Sequence, residues 1–242
     1  MESIKSRITV KSLFMYTLMI VSGILIIIFS IQRRAPIIKV IPCLVTLLVQ
    51  FFNSKANRYA KVIGGINSII YAIGFFMDGL WGPFLNALLI SSTLQFITFL
   101  RWNKNKYKQG TIYRKLSPRL KIIVYISVFC VSIVFARIFQ MLPNTTYPEL
   151  NGVIFGLSLV ITFLLMFAVI DGVAINILNC SLSLAMYIYM VVTQSPENLH
   201  YIVIMSYSVI SETLCFFTWQ KLYKEQTAIR GKPLLDFEKA SL

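Results

Sequence analysis

Gln95-Phe-Ile-Thr-Phe-Leu-Arg-Trp102 and Glu212-Thr-Leu-Cys-Phe-Phe-Thr-Trp219 share one frame: a polar residue, then Phe four positions on, then Trp three positions after that. Each closes a long apolar run and each is followed by lysines. An offset of 117 residues (102 to 219) superposes them, and one of 116 (71 to 187) places Asn67-x-x-x-Tyr71 over Ser183-x-x-x-Tyr187. A one-residue difference in the intervening loop reconciles the two. A duplicated membrane bundle follows, with a polar site where the copies face each other.

The surrounding chain supports a membrane solvent. It is 57% hydrophobic against 13% charged, with a mean hydropathy of +0.74, more apolar than one soluble core of 242 residues needs. Roughly 20 apolar residues span a bilayer as a helix, so runs of this length exclude an outer-membrane barrel of alternating ten-residue segments. The net charge of +14 does not mark a nucleic-acid groove, because Lys and Arg lie almost wholly between the apolar runs. Cys43, Cys130, Cys180 and Cys215 sit inside apolar runs without ligand spacing, so neither a metal site nor a disulfide framework is indicated, and all four are expected as small core residues.

Breaking the apolar runs at charge, Pro and Gly predicts an all-α membrane protein of about eight transmembrane helices, at 12–31, 36–52, 60–77, 83–101, 120–141, 152–170, 173–192 and 199–219. The first run lacks a small-residue cleavage site and is expected to be retained. Asp171-Gly172 is the least certain boundary, either a turn between two helices or a kink in one. Helices two to four correspond to six to eight, and a single helix between them returns the chain to its starting side, as parallel repeats require. The organisation is then one transmembrane domain over 1–242: an extra N-terminal helix (1–35), a first repeat (36–102), a loop and linker helix (103–150), a second repeat (151–221) and a tail (222–242).

Orientation comes from the segment Arg101 to Lys121, whose eight Lys and Arg place it in the cytoplasm. Eight crossings put both termini there too, in agreement with Lys5, Arg7, Lys221 and Lys224, whereas Arg33 and Arg34 fall outside and argue mildly against it. The loops holding Asp78, Pro143 to Glu149 and Pro196-Glu197 are expected on the other side.

Polar residues inside the spans mark the candidate site. Gly64, Asn67, Tyr71, Gly74 and Asp78 recur at spacings of three and four, as do Asn176, Asn179, Ser183 and Tyr187. Such stripes either glue helices together or line a cavity, and their occurrence at corresponding places in both repeats favours the cavity. Ser91, Gln95 and Thr98 continue the pattern in helix four, and Tyr201, Ser208 and Glu212 answer in helix eight. Asn86 is nine residues before Gln95, about 180° away on an ideal helix, so both cannot face one cavity without a distortion and Gln95 is preferred. Glu212 is the only acid well inside a span, and at a cost of about 2.5–3.5 kcal/mol for an ionised carboxylate it must be protonated, paired or facing water. Three roles are open to it: an acceptor for substrate hydroxyls, a proton carrier, or a bond to a neighbouring helix. Trp81, Trp102 and Trp219 stand at helix ends. Trp102 and Trp219 suit a lipid-interface belt, with a gate or stacking lid as the alternative. Arg137 is expected to snorkel to the interface.

Tyr59-Ala-Lys-Val-Ile-Gly-Gly-Ile-Asn67-Ser-Ile-Ile-Tyr71, Asp78-Gly-Leu-Trp81-Gly, Leu85-Asn86-Ala, Leu94-Gln95-Phe96 and Trp102-Asn-Lys resemble the PnuC-type vitamin transporters, with a weaker likeness through Asp171-Gly172, Asn179, Tyr187 and Trp219. That resemblance covers about half the chain. It implies a SWEET-like 3+1+3 arrangement with an optional extra N-terminal helix. It also implies facilitated diffusion of nicotinamide riboside across a bacterial inner membrane, alternating access without ATP or a bound cofactor, and trapping by a cytoplasmic vitamin kinase. Family substrates lie between the triplets, which points here to Asn67, Tyr71, Asn86, Gln95, Asn179 and Tyr187. The second repeat departs from the fuller pattern at Gln194-Ser-Pro-Glu197, so thiamine, riboflavin or a deoxynucleoside stand as alternative cargo. With no Lys or Arg cluster at mid-membrane, a phosphorylated ligand is disfavoured. An enzyme is disfavoured by a lone His200 and the absence of an acid pair, while a non-transporting partner protein and a homo-oligomer are both compatible with the sequence.

Overall fold

A computed structural model describes residues 10–142, 147–193, 198–230 and 234–235. Among them are eight helices long and apolar enough to cross a membrane. They are α1 (Val10–Gln32), α2 (Ile37–Ser54), α3 (Tyr59–Met77), α4 (Trp81–Lys104), α5 (Pro118–Gln140), α6 (Pro148–Met166), α7 (Ile170–Thr193) and α8 (Leu199–Arg230). Local chemistry sets several ends. Pro118 and Pro148 open α5 and α6, where a missing N–H costs nothing, and the Ser117 hydroxyl accepts the Leu120 N–H at 3.4 Å.

Every expected span is present, with its ends within four residues of those expected except at the close of α8. The break expected at Asp171-Gly172 separates two helices but falls earlier, where Ala168 takes a left-handed φ of 55°. Asp171 instead opens α7, accepts the Leu116 N–H at 3.0 Å and pairs with Lys121 at 3.0 Å. An anion in a first helical turn also meets the positive end of the helix dipole. Helix α8 runs on to Arg230, so the start of the expected tail is helical. The calls on Lys5 and Arg7, and on the loop residues 143–146 and 194–197, lie outside the described residues.

The packing follows a two-fold pattern. Helix α3 packs between α2 and α4, and α7 between α6 and α8. Across the repeats α2 meets α8 and α4 meets α6, which are the same contact once α2–α4 are exchanged for α6–α8. Ala56, after α2, repeats the left-handed turn of Ala168, after α6, each at a φ of 55°. The six helices therefore close into a ring built from two parallel triplets. Helix α1 lies outside against α2 and α8, and the linker α5 lies outside against α6. Gly152 and Gly156 permit that last contact, since a methyl on Gly152 would stand 2.4 Å from the Ala136 nitrogen and one on Gly156 2.8 Å from the Ser132 Cα. Ile122, Phe129, Ile66 and Ile69 are among the apolar side chains left facing outward, as a lipid solvent permits.

The basic segment after α4 is not a plain loop. It folds a short hairpin (Lys106–Tyr107 with Gly110–Thr111) and crosses that end of the ring. Arg58 donates to the Gln109 carbonyl at 3.2 Å, while Arg114 exchanges backbone bonds of 3.0 Å with Ala168 and Ile170. Gln226 on α8 accepts the Tyr113 N–H at 3.1 Å and donates back to its carbonyl, and Lys108 pairs with Glu225. Both repeats are thus tied to one strap.

Candidate functional site

The ring encloses a cavity of about 290 Å³, lined from all six of its helices. The first repeat supplies Thr46, Gln50 and Asn53 from α2, Lys61, Asn67 and Tyr71 from α3, and Asn86, Ser91, Gln95 and Thr98 from α4. The second supplies Ser158 and Thr162 from α6, Asn176 and Asn179 from α7, and Glu212 with Trp219 from α8. A larger, apolar groove between α5, α6 and α7 opens outward onto Phe129, Leu157 and Leu178.

The hydrogen bonds give the cavity a definite polarity. Asn67 donates both to the Pro42 carbonyl at 3.0 Å and to Thr46 at 2.8 Å. Asn179 donates to Ser158 at 3.1 Å, and Gln95 to Ser68 at 3.3 Å. With these amide donors turned onto the protein, the Oδ1 atoms of Asn67, Asn86 and Asn179 and the Oε1 of Gln50 are buried without a protein partner among the described residues. The Tyr71 hydroxyl and the Trp219 indole N–H are buried on the same lining without a partner, so among the described residues open acceptors outnumber open donors and the cavity suits a ligand rich in donors.

Two charges line the same space without touching. Lys61 donates to Asn53 Oδ1 at 3.2 Å and stands 5.1 Å from the centre of the Trp102 ring. Glu212, 4% exposed, has the side chains of Asn176 and Gln50 within hydrogen-bonding reach, and Lys61 supplies its counter-charge across the cavity. Among the described residues the ion pairs are Lys39–Asp78, Lys108–Glu225 and Lys121–Asp171, so Lys61 and Glu212 are not in contact. Among the described residues no cluster of Lys or Arg lines the cavity, but one lysine does. Lys61 begins near the α3 end and lines the cavity as a single ammonium, with one N–H on Asn53 and an indole face beside it, rather than as part of a cluster gathered for a phosphate.

Asn86 and Gln95 both line the cavity, which on an ideal helix would need a distortion between them. That distortion is a π-helical turn over Asn86–Ser91, between the α-helical pieces Trp81–Leu85 and Ser92–Lys104. One extra residue in the turn makes nine positions advance as eight, and the angle falls from about 180° to about 80°.

Aromatic layers bound the cavity at both ends. At the strap end Trp102 and Trp219, 1% and 2% exposed, meet edge to face at 5.4 Å, and Tyr113 from the strap lies 4.9 Å from Trp219. The two echoed tryptophans therefore face each other on the internal axis, which replaces the lipid-belt expectation. At the opposite end Tyr71 stacks on Phe75 at 5.1 Å, Phe75 meets Tyr201 at 6.0 Å, and Tyr187 lies 4.8 Å from Tyr201. Beyond this layer Lys39 on α2 pairs with Asp78, which also accepts from Asn198 at 3.4 Å.

Of the residues singled out in the sequence, Asn67, Tyr71, Asn86, Ser91, Gln95, Asn176, Asn179, Glu212 and Trp219 line the cavity. Ser183, Tyr187 and Ser208 are buried outside its lining, and Trp102 closes one end. Trp81 packs instead with Phe76 and Phe84 at 5.7 Å. Arg137 is exposed at the end of α5 and donates to Gln140 at 3.3 Å, as expected of a snorkelling side chain. Cys43 and Cys215 are buried, but Cys130 is exposed on α5 and Cys180 half-buried, so not all four are core residues. Gln50, Asn53, Lys61, Ser158 and Thr162 were not anticipated. The i, i+3, i+4 spacing of Gln50, Asn53 and Ser54 on one face of α2 was the available signal for the first two.

The nicotinamide mononucleotide transporter family model matches residues 36–221, which takes in the ring and leaves out α1. A crystal structure of the vitamin B3 transporter PnuC superposes with a TM-score of 0.75 at 17% identity, covering 88% of this chain and 92% of that one. No curated protein matches the sequence. The eight-helix architecture with its two parallel triplets agrees with that fold, and on the extent of the family match the chain belongs to the nicotinamide mononucleotide transporter family.

Proposed function

We propose that this chain carries nicotinamide riboside across a bacterial inner membrane by facilitated diffusion, alternating the two ends of the cavity without ATP. The surplus of buried acceptors carries the proposal. Nicotinamide riboside offers three ribose hydroxyls and a carboxamide NH₂ as donors, and a positively charged ring that amide oxygens and the Glu212 carboxylate can face. The volume is near the lower limit of about 300 Å³ for ligand cavities, which suits a ring and one sugar better than a dinucleotide. A phosphate would meet unpartnered amide oxygens and a carboxylate, which weighs against the mononucleotide itself.

The basic strap faces the cytoplasm in this account, in keeping with the excess of Lys and Arg in that segment, and both termini lie on the same side. A cytoplasmic kinase that phosphorylates the vitamin makes uptake unidirectional. Labelled riboside uptake into proteoliposomes with no proton or sodium gradient tests the proposal. Equilibration to the external concentration is expected. Uptake only with an imposed proton gradient would instead make Glu212 a coupling group, and saturable uptake of thiamine, riboflavin or a deoxynucleoside with none of the riboside would reassign the cargo.

A further inference from the structure

Gln95 and Glu212 occupy equivalent places in the two repeats, each seven residues before its tryptophan and so about 10 Å from the strap-end layer. Their chemistry is unlike. Gln95 can donate and accept, whereas a carboxylate only accepts and presents two coplanar oxygens at once. Among the described residues Glu212 is the one carboxylate lining the cavity, and Lys61, the one ammonium there, is bonded to Asn53 rather than to it. Asn176 and Gln50 can occupy two of the roughly four lone-pair sites of the Glu212 carboxylate, and with its counter-charge near but not in contact the others stay open to a ligand.

We propose that Glu212 reads the sugar of the ligand, taking two adjacent hydroxyls as donors, so that the transporter selects ribosides over 2′-deoxyribosides. The unlike Gln95 then faces the other end of the ligand. A single amide oxygen such as that of Asn67 or Asn179 accepts from one hydroxyl well but cannot bracket two. The carboxylate can, and it loses a charge-assisted bond when one hydroxyl is absent. This rests on the proposal that a nucleoside-like vitamin occupies the cavity.

The test is calorimetric binding of nicotinamide riboside and its 2′-deoxy counterpart to the purified full-length chain and to Glu212→Gln. Wild type is expected to bind the riboside at least tenfold more tightly, and Glu212→Gln to bring that ratio down severalfold by weakening chiefly the riboside. Asn86→Ala is expected to weaken both ligands by the same factor and leave the ratio in place. Equal binding of the two sugars by wild type overturns the assignment while leaving the vitamin site standing, and this result needs no variant to fold. An unchanged ratio in folded Glu212→Gln overturns it as well. Binding of neither ligand by wild type removes the underlying function, a different failure from the other two.

Discussion

Gly64 sits on α3 facing Gln95 across the first repeat, and a methyl placed on it would stand 2.2 Å from Gln95 Oε1, 3.1 Å from its Cδ and 3.3 Å from its Nε2. Ordinary contact begins near 3.4 Å, so Gly64→Ala forces the amide oxygen to move by about 1.2 Å. The neighbour that gives way is a flexible side-chain end rather than backbone, so the helix itself survives. Alanine in a helix interior is favoured over glycine by roughly 0.5–1 kcal/mol, and the fold should be no less stable than before. The displaced amide gives up its bond to Ser68 and its aim at the ligand. Losing one neutral hydrogen bond of about 0.5–1.5 kcal/mol raises the dissociation constant about 2- to 12-fold. Thermal unfolding in detergent and calorimetric binding, measured on the same preparation, separate the two effects. A midpoint equal to or above that of wild type together with weaker binding is the expected pair. Full-strength binding by a folded Gly64→Ala protein would refute the placement of Gln95 at the ligand.

Three further outcomes follow from the packing. Gly152→Leu drives a side chain into the α5 backbone at Ala136 and Phe135, and should lower stability by about 1–3 kcal/mol, read as a lower unfolding midpoint. Lys39→Met and Asp78→Leu each strand a buried charge, at roughly 3–5 kcal/mol apiece, whereas the double replacement should cost much less than their sum. Additive losses in the unfolding midpoint would show that the two groups do not act as a pair. Tyr113→Ala removes the aromatic wedge beside Trp219, and Cys215 on the cavity wall should then react faster with a water-soluble maleimide. Unchanged labelling, followed in a background where Cys43, Cys130 and Cys180 are serine, would show that the strap does not close that end.

The helices were legible because bilayer thickness imposes a length that apolar runs record directly, and the repeat was legible because Trp102 and Trp219 close equivalent helices. The polar stripes predicted which face turns inward, but a 3.6-residue period says nothing about depth along the axis. Tyr187 and Ser183 share the face of Asn176 and Asn179 yet fall beyond the end of the cavity. The π turn at Asn86–Ser91 leaves no mark in Asn-Ala-Leu-Leu-Ile-Ser, an unbroken apolar run between polar ends, so the distortion that lets Asn86 join Gln95 could be required but not located. Lys61 lies only two residues into α3, where a charge carries no signal of a site. Only the fold shows its stem turning inward to Asn53 and Trp102. The strap was concealed by its own lysines and arginines, whose dominant signal was orientation, while Tyr113 and Gly110 carried the structural information. Gly110 is fixed by close approach, with a methyl there falling 2.7 Å from the Ala56 carbonyl.

A ring of two parallel triplets with an aromatic layer at each end has the parts alternating access needs: a shared site and two closures. At the strap end Trp102 and Trp219 come from opposite repeats, and at the other end so do Tyr71 and Tyr187. Separating the repeats at either end parts one layer. The strap joins the turns after α2 and α6 by backbone bonds, so opening at its end must stretch or release it.

A structure of the protein with nicotinamide riboside bound shows whether the cavity between the repeats holds the riboside. Density between Gln95 and Glu212, with the ribose toward the carboxylate and the carboxamide toward α4, is the predicted result. Density confined to the outward groove of α5, α6 and α7, with the ring empty at saturating ligand, would contradict it.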